Sequence, residues 1–464
     1  MKDKPTAAVL TLGCKVNQYE SVALTERLAA LGFEIVGGDD AADVYIVNTC
    51  AVTAEAERKS RNLARRCIRR NPSASVIVMG CASETSPEEM AKIEGVRHVF
   101  GTKDKLSAAN VAAADVAAAE VAAAEVTSEK SDNMGAAVIH VNEGEVAALK
   151  KIEPMKITSS PRTRAYVKIC DGCGGKCAYC IIPRARGPVR SRMTGDIIDE
   201  VRGLAAAGVH EVVFTGIETT DFGRDTGEDL ISLLAAASDI DGLDRIRLSS
   251  LEPTIFTPEF AAAVSEIPKI APHFHVSLQS GCDRTLHAMK RRYGTERVLE
   301  NIASLREKIP DLMLSADMIV GFPGETEEDF VETLEFIKRF RPLHLHVFPF
   351  SRRRGTVADT MENQVPEAVK HERSARLISL GERLRDEEIA SYLERTEVTD
   401  VLFEADASEM HSGHTENFIE VRTAPTGDCV TGQILPVKLE CARDGVVYGR
   451  ALIPDSGANC RKNS

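Results

Sequence analysis

The stretch Cys173-Gly174-Gly175-Lys176-Cys177-Ala178-Tyr179-Cys180 places three cysteines at C-x3-C-x2-C spacing. It follows the apolar run 165–169, which predicts a strand that ends in a tight loop. Such a loop can bring three thiolates to one point. Iron–sulfur clusters are usually held by four cysteines, so this loop indicates either a distant fourth ligand or an iron with an open position. A structural zinc loop is the alternative, but zinc usually takes two pairs of ligands and no second pair is obvious nearby.

Length and composition indicate a multidomain protein with metal or redox chemistry. At about 100–200 residues per domain, the 464 residues predict two to four domains, and a hydrophobic content of 43% suffices for buried cores. No run of about 18 apolar residues occurs, and the first residues lack a signal-peptide pattern. We therefore expect a cytoplasmic protein without a membrane span. Twelve cysteines in that compartment point to metal or redox chemistry rather than disulfides.

The charge pattern combines an acidic chain with local basic clusters. The net charge of −13 argues against a general nucleic-acid binder. Lys and Arg are nevertheless concentrated in four stretches, at 58–70, 184–192, 290–292 and 352–354. For any one stretch, an ordinary solvated helix face is an equally good explanation. Because two of them lie beside cysteine loops, the set favours RNA phosphates as the partner.

Residues 6–100 alternate between strand and helix patterns, which predicts a doubly wound parallel sheet. The predicted strands are 7–12, 44–47 and 76–79, and the predicted helices are 18–31, 54–70 and 87–92. Cys14, Cys50 and Cys81 each follow one of these strands. Because parallel strands share one carboxyl edge, where ligands bind, these thiols are predicted to converge and hold a second metal cluster. The alternative is three buried free cysteines. Cys67, in mid-helix, is not expected to be a ligand.

Residues 107–126 are low in complexity, with valines every five residues among alanines and acids, at Val111, Val116, Val121 and Val126. Each step of five rotates the valine by about 140° round a helix. No apolar stripe results, so no partner face is predicted. We interpret 106–160 as an alanine-rich insertion and linker without chemistry.

Six strand patterns alternate with helices over 161–392 and predict a partial (β/α)6 barrel, at 165–169, 211–215, 245–249, 273–278, 313–319 and 343–348. Ligands bind such barrels at the carboxyl ends of the strands. The cysteine loop follows the first strand. Gly216, Gln279 and Gly321 follow the second, fourth and fifth strands. Because glycine lets a backbone approach a ligand closely, residues at these strand ends are predicted to ring the mouth.

The chain changes character after a long charged helix at 366–393. Short strand patterns with Gly turns predict a small β-barrel, at 397–403, 418–422, 429–435, 437–441 and 446–453. Such barrels often bind RNA. Over 394–454, however, acids outnumber Lys and Arg by 11 to 5, which predicts weak RNA affinity from charge alone. The predicted domains are 1–105, 106–160, 161–392 and 393–456.

Taken together, these motifs resemble the radical S-adenosylmethionine methylthiotransferase family. The cysteine loop, with Tyr179 before its last cysteine, is similar to the cluster loop of the radical S-adenosylmethionine superfamily. The N-terminal segments resemble the methylthiotransferases through TLGCKVNQYE at 11–20, NTCAVT at 48–53 and GC at 80–81. The C-terminal barrel resembles the TRAM domain of RNA-modifying enzymes.

Within the family, several segments are similar to the branch that acts on N6-threonylcarbamoyladenosine in tRNA. They are KVNQY at 15–19, RLSSLEP at 247–253, HVSLQSGCD at 275–283 and HVFPFS at 346–351. The isopentenyladenosine branch tends to have Ser where this chain has Cys282.

The chain also departs from the family pattern, in the interior of the cysteine loop and around it. Gly174, Gly175 and Lys176 replace the usual two asparagines and an aromatic residue. Further departures are Cys170 for a usual Gln, Arg184 for a usual Tyr, and Thr219 with Thr220 in the loop after the second strand.

The resemblance implies two [4Fe–4S] clusters and S-adenosylmethionine as cofactors. Cys173, Cys177 and Cys180 would hold the cluster whose open iron binds S-adenosylmethionine. Its reductive cleavage gives a radical that removes hydrogen from C2 of the modified adenine. An auxiliary cluster, held by Cys14, Cys50 and Cys81, would supply the methylthio group. Tyr179, Gly216, Gln279 and Gly321 are expected to line the S-adenosylmethionine site, and no general acid or base is assigned.

The implied macromolecular partner is the tRNA anticodon stem-loop, whose unstacked bases can enter a pocket. Arg184 and Arg186 directly follow the cysteine loop and are predicted to meet phosphates at its mouth. We expect a monomer that is reduced by a donor such as flavodoxin or ferredoxin. The alternatives are action on N6-isopentenyladenosine or on an aspartate of a ribosomal protein, a non-catalytic iron–sulfur electron carrier with an RNA-binding tail, and a cobalamin-dependent radical enzyme.

Overall fold

The computed structural model describes residues 4–124, 136–142, 144–406, 410–425 and 430–452. Its N-terminal part contains strands β1 (Thr6–Thr11), β2 (Glu34–Ile35), β3 (Val44–Thr49), β4 (Ser75–Gly80), β5 (Val96–Val99) and β6 (Val138–Ile139). The helices there are α1 (Lys15–Ala30), α2 (Ala54–Arg70), α3 (Cys81–Thr85), α4 (Pro87–Ala91) and α5 (Ser107–Ala124). All six strands run parallel, in the order β2-β1-β3-β4-β5-β6.

Both faces of this sheet are covered, which confirms the doubly wound prediction. Every residue of β3 and β4 is buried. Alternate residues enter two separate cores, so that Tyr45 and Val47 pack with α2 and α4, whereas Val44 and Ile46 pack with α1 and α5. This alternation is the period-two geometry of a strand that is covered on both faces.

Helix α5 packs on the sheet, so the prediction that it has no partner face is wrong. Ala108, Ala109 and Ala112 are fully buried in the core that includes β3 and β4, and Val111 and Val116 pack partly buried beside them. The contact is made by small alanines, which the valine spacing could not reveal. The segment after α5 also contributes β6 to the edge of the sheet.

The central part begins with β7 (Arg164–Lys168) and a short antiparallel pair, β8 (Cys170–Asp171) and β9 (Arg190–Ser191), which brackets the cysteine loop. Its remaining strands are β10 (Glu211–Thr215), β11 (Arg245–Leu248), β12 (His273–Gln279), β13 (Met313–Val320) and β14 (His344–Pro349). The parallel groups β7-β10-β11 and β12-β13-β14 are joined by the bridges Ile246–Ile270 and Leu251–Val276. The predicted six-stranded partial barrel is confirmed.

Seven helices accompany these strands, of which α6 lies directly after the cysteine loop. They are α6 (Ile182–Arg186), α7 (Thr194–Ala206), α8 (Leu230–Ser238), α9 (Pro258–Ser265), α10 (Asp283–Ala288), α11 (Thr295–Lys308) and α12 (Glu327–Phe340). The long helix α13 (Glu367–Arg395) then leads into the C-terminal part.

The C-terminal strands are β15 (Val398–Asp406), β16 (His411–Thr415), β17 (Glu420–Thr423), β18 (Ile434–Arg443) and β19 (Val446–Ala451). They form a closed barrel in the order β15-β16-β17-β19-β18, which confirms the predicted small barrel. Two details differ. β16, with the sequence HSGHT, lacks apolar alternation and was not predicted. β18 runs through Pro436, which pairs with Asp400 of β15, so the predicted interruption there is wrong. Cys429, predicted to begin a strand, lies outside the described residues.

In the part of the chain that the structure covers, no helix has the length and apolar character needed to cross a membrane.

Candidate active site between two cysteine sets

The cysteine loop is held open by backbone contacts and by glycine. The amide of Cys173 donates to the carbonyl of Gly187 at 3.0 Å, and the amide of Gly175 donates to Cys173 Sγ at 3.2 Å. A Cβ atom at Gly175 would lie 3.1 Å from Cys173 Sγ and 3.7 Å from Cys177 Sγ. The absence of a side chain at position 175 therefore leaves space between two sulfurs, which fits a metal cluster.

Arg291 approaches this loop from the segment after α10. Its Nη1 donates to Cys177 Sγ at 3.3 Å, and its Nη2 lies 3.3 Å from a carboxylate oxygen of Glu252. Burial raises the pKa of the Cys173 thiol to about 12 and that of Cys180 to about 11. A bound cation would have to displace these protons, since metals bind the thiolate form.

A second set of cysteines gathers at the carboxyl edge of the N-terminal sheet. Cys14 precedes α1, Cys50 follows β3, and Cys81 begins α3 directly after β4. Burial raises the pKa of Cys50 to about 12, with further contributions from Cys81 and Cys14. A Cβ atom at Gly13 would lie 3.0 Å from Cys50 Sγ, so glycine lets the first turn approach this sulfur closely. The structure thus brings the three thiols together.

One cavity adjoins segments that carry both sets. This upper cavity, of about 220 Å³, is lined by Tyr179 and Cys180 from the loop and by Val52 and Thr53, which follow Cys50 in the sequence. The barrel contributes Gln279, Asp317, Ile319, Phe348 and Ser351. Cys81 adds to the effect of burial on the pKa of Cys180, which shows that the sets are electrostatic neighbours.

Two of the four residues predicted to bind S-adenosylmethionine, Tyr179 and Gln279, line the upper cavity. Gly216 and Gly321, which are both in the described part of the chain, do not line this cavity. A Cβ atom at Gly216 would lie 2.3 Å from Cys170 Sγ, and one at Gly321 would lie 2.4 Å from Lys370 Cγ. Close packing is therefore sufficient reason for glycine at both positions.

Two other cysteines pack in the protein core. Cys67 is fully buried on the inner face of α2, where it packs against the N-terminal core. Cys170 is fully buried in the core of the central barrel, with Sγ 3.5 Å from the carbonyl of Glu218.

Arg186 is fully buried, so the prediction that it meets phosphates at the mouth is wrong. Its Nη1 lies 2.9 Å from both Glu20 and Asp171, and its Nε donates to Cys81 Sγ at 3.3 Å. Against the cost of burial, Arg186, Lys105 and Lys168 hold the pKa of Glu20 well below its usual value. The side chain is buried because carboxylates distant in the sequence surround it.

The basic stretch 184–192 presents only one exposed arginine to solvent. Arg190 and Arg192 are 4% and 7% exposed, whereas Arg184 is exposed. Arg192 instead pairs with Glu200 at 2.5 Å. Exposed basic side chains near the cysteine loop therefore come mainly from other segments, at Lys176, Lys290, Arg292, Arg352 and Arg354.

Glu218 is a polar group at the site that the sequence analysis did not identify. It follows β10 in the strand-end loop, where burial and the neighbouring Glu252 raise its pKa to about 7. Its charge also contributes to the raised pKa of Cys173, which places it near the cysteine loop. The sequence feature that could have identified Glu218 is its position, three residues beyond the end of a strand in a barrel that binds ligands at its strand ends.

The sequence and the fold define the general class. Residues 167–337 match the radical SAM superfamily, and residues 6–101 match uncharacterized protein family UPF0004. The fold resembles that of a radical S-adenosylmethionine methyltransferase, TsrM from Kitasatospora setae, solved with cobalamin and a [4Fe–4S] cluster bound. The TM-score is 0.52 at 17% identity, covering 93% of this chain and 84% of that one. This protein is thus a radical S-adenosylmethionine enzyme.

Curated relatives narrow the class. The threonylcarbamoyladenosine tRNA methylthiotransferase MtaB of Bacillus subtilis (strain 168) is 37% identical over 94% of this chain and 93% of its own length. The tRNA-2-methylthio-N(6)-dimethylallyladenosine synthase of Thermobifida fusca (strain YX) is 36% identical over 85% of this chain and 77% of its own. The chain belongs to the radical S-adenosylmethionine tRNA methylthiotransferase family. Membership implies a [4Fe–4S] cluster and S-adenosylmethionine as cofactors, and excludes the interpretation as a non-catalytic electron carrier.

Proposed function

We propose that this enzyme adds a methylthio group to C2 of N6-threonylcarbamoyladenosine, on the 3′ side of the anticodon in tRNA. Cys173, Cys177 and Cys180 would hold the [4Fe–4S] cluster that binds S-adenosylmethionine. An auxiliary cluster would be held by Cys14, Cys50 and Cys81. When bound, the first group supplies the radical and the second supplies the sulfur. The observation that supports the proposal is the proximity of the two cysteine sets, because Cys180 of the loop interacts electrostatically with Cys81 and lines the upper cavity beside Val52 and Thr53, which follow Cys50.

The protein itself contributes orientation and exclusion of water. Ile319 and Phe348 give the upper cavity an apolar wall, while Tyr179 and Gln279 are available to contact S-adenosylmethionine. Gly216 and Gly321 are proposed to shape the strand ends. Guanidinium groups donate to one sulfur of each set, and such charge-assisted bonds favour the thiolate that iron requires.

The assignment of the threonylcarbamoyl substrate is supported by the names of several relatives. Proteins named for it include MtaB of Bacillus subtilis (strain 168), at 37% identity, whereas the Thermobifida fusca (strain YX) relative is named for the dimethylallyl substrate. Cys282, where the isopentenyladenosine branch tends to have Ser, can influence the choice of substrate only indirectly. This residue is 1% exposed, and its Sγ lies 3.3 Å from Asp329. N6-isopentenyladenosine remains the alternative substrate in tRNA.

The direct test is mass spectrometry of tRNA nucleosides from a strain that lacks this gene. We expect 2-methylthio-N6-threonylcarbamoyladenosine to disappear and to return on complementation with the intact gene. If it persists in the absence of a paralogue, the substrate assignment is wrong. If the 2-methylthio derivative of isopentenyladenosine disappears instead, the alternative is correct.

The remaining expectations about partners are also proposals. The anticodon stem-loop would meet the exposed basic side chains around the cysteine loop, with Arg184 as the predicted contact. Reduction by a flavodoxin or ferredoxin, a monomeric state and a cytoplasmic location are proposed on the family resemblance.

A further inference from the structure

A second cavity lies inside the central barrel, beneath the upper cavity. This lower chamber has a volume of about 310 Å³. Inward side chains of β12, β13 and β14 form one wall, with His273, His275, Ser315, His344 and His346. Lys15 of α1 reaches the chamber from the N-terminal part. His414 and Phe418 of the small C-terminal barrel also line it. The chamber is therefore built by all three parts of the protein.

Asp317 connects the two cavities. It lines the upper cavity, and its carboxylate lies 3.0 Å from Nε2 of His275 in the lower chamber. Asp317 is two residues beyond Ser315 on β13, and such a step along one face of a strand covers about 6.6 Å. The linings of the two cavities are therefore adjacent along β13.

Of the three cations that line the chamber, Lys15 is the one without a direct ion pair among the described residues, whereas Arg164 and Arg247 are paired with carboxylates. Arg164 and Arg247 lie 3.0 and 2.9 Å from the same buried oxygen of Glu211. Asp317 contacts His275 directly and attracts Lys15 without an ion-pair contact. Over the described ranges, Nζ of Lys15 has no hydrogen bond and no ion pair, although it lines the cavity. Lys15 is half-buried, and an ammonium group that faces a cavity without an ion pair favours an anionic ligand beside it.

An independent observation concerns the imidazoles. His273 is 4% exposed and lines the chamber. Its Nε2 lies 2.7 Å from Ser315 Oγ, but its Nδ1 is buried and unpartnered within the described part of the chain. Burial lowers the pKa of His344 to about 4, which leaves that ring neutral at physiological pH. The chamber thus offers neutral hydrogen-bonding groups together with one ammonium.

We propose that the lower chamber receives the threonyl carboxylate of the substrate, with Lys15 as its ion-pair partner. This inference rests on the proposed function and adds the group that would distinguish the two tRNA substrates. A threonylcarbamoyl arm carries a carboxylate and a hydroxyl, which match an ammonium and neutral imidazoles. A dimethylallyl arm would cover Nζ of Lys15 and Nδ1 of His273 without offering either a partner, at a cost in binding.

A divalent cation is the competing occupant, since ligand atoms of His275, Asp317 and His346 lie within 4.8 Å of one another. The charges disfavour it. Lys15 interacts electrostatically with Asp317 and with His346, so a dication there would face an ammonium group.

The test uses the anaerobically reconstituted holoenzyme and three anticodon hairpins. One carries N6-threonylcarbamoyladenosine, one its analogue with a carboxamide in place of the carboxylate, and one N6-dimethylallyladenosine. Dissociation constants and turnover are measured for the natural enzyme, for Lys15→Gln, and for Lys338→Gln, which removes the same charge from the exposed face of α12. Because Lys15 adjoins Cys14, the iron content of Lys15→Gln is measured as a control for cluster assembly.

We expect the natural enzyme and Lys338→Gln to bind the carboxylate hairpin about 10- to 100-fold more tightly than the carboxamide hairpin. Lys15→Gln should bind the two hairpins equally. The inference is overturned if Lys15→Gln keeps the full preference, or if the natural enzyme modifies the carboxylate hairpin without any preference over the carboxamide. It is also overturned by a stoichiometric divalent metal that is lost in His346→Gln. Activity on the dimethylallyl hairpin alone would instead refute the proposed function.

Discussion

The two cysteine sets achieve similar local chemistry by different routes. Cys173, Cys177 and Cys180 lie within one loop, whereas Cys14, Cys50 and Cys81 come from three strand ends of one sheet. In each set, an arginine donates to one sulfur at 3.3 Å. The loop set depends mainly on local backbone, while the sheet set depends on the packing of a whole domain. This contrast predicts that mutations away from the ligands affect the sheet set more.

The largest expected effects come from removing one cysteine of each set. Cys177→Ala should abolish both S-adenosylmethionine cleavage and methylthiolation. Cys50→Ala should abolish methylthiolation but retain cleavage of S-adenosylmethionine on reduction, because the loop set is intact. Each variant should lose about four irons per chain. Iron analysis and chromatography of 5′-deoxyadenosine measure these outcomes.

Cys67→Ala is the matched control, since Cys67 is a buried cysteine of the same domain that belongs to neither set. It should retain both clusters and both reactions. The division of labour between the sets would be contradicted if Cys50→Ala lost S-adenosylmethionine cleavage and Cys177→Ala kept a normal iron content.

The arginines behind the two sets should differ in their effect on stability. Arg186→Leu removes a partner of two buried carboxylates, Glu20 and Asp171, and is expected to lower the free energy of unfolding by about 3–5 kcal/mol. Arg291→Leu leaves only Glu252 without this partner and should cost about 1–3 kcal/mol. Chemical denaturation measures both changes. Equal costs would indicate that the carboxylates around Arg186 are satisfied without it.

The packing of α5 tests how far the sheet set depends on its domain. Ala112→Leu inserts a larger side chain at a fully buried position and should destabilise the protein by about 1–3 kcal/mol. The same substitution at the exposed Ala114 of this helix should have little effect. Thermal unfolding, with iron retention assayed on gentle heating, provides the measurement. Equal effects at both positions would show that α5 does not pack as described.

The smallest effect is expected at the rim of the loop set. Arg184→Glu should weaken binding of the anticodon hairpin modestly and lower the slope of affinity against salt by about one. Arg202→Glu is the control, because Arg202 is 63% exposed on the outer helix α7. Titrations at several salt concentrations would detect the change, and an unaltered slope would remove Arg184 from the RNA interface.

The sequence predicted most of the architecture because its signals are local. Apolar runs separated by helical segments predicted the six barrel strands. Because parallel strands share a carboxyl edge, the cysteines that follow three strands were predicted to lie together. The face of α5 and strand β16 were missed for a physical reason. Alanine and polar residues carry little hydrophobic pattern, so tertiary contacts decide their burial.

The burial of Arg186 shows a different limit. A charged residue beside a cluster loop resembles an RNA contact in sequence, but Glu20 and Asp171 enclose it in the folded protein. The lower chamber has the same origin, because Lys15 and His273 become neighbours of one cavity only when the domains pack together.

By itself, the sequence determined the alternating strand and helix pattern, the two sets of cysteines and the family, since each depends on residue type and spacing. Only the tertiary structure decided which charges are buried, which predicted lining residues face the upper cavity, and that Lys15 lines the lower chamber without a direct ion pair among the described residues. Burial and charge pairing depend on neighbours that are distant in the chain, and spacing does not encode them.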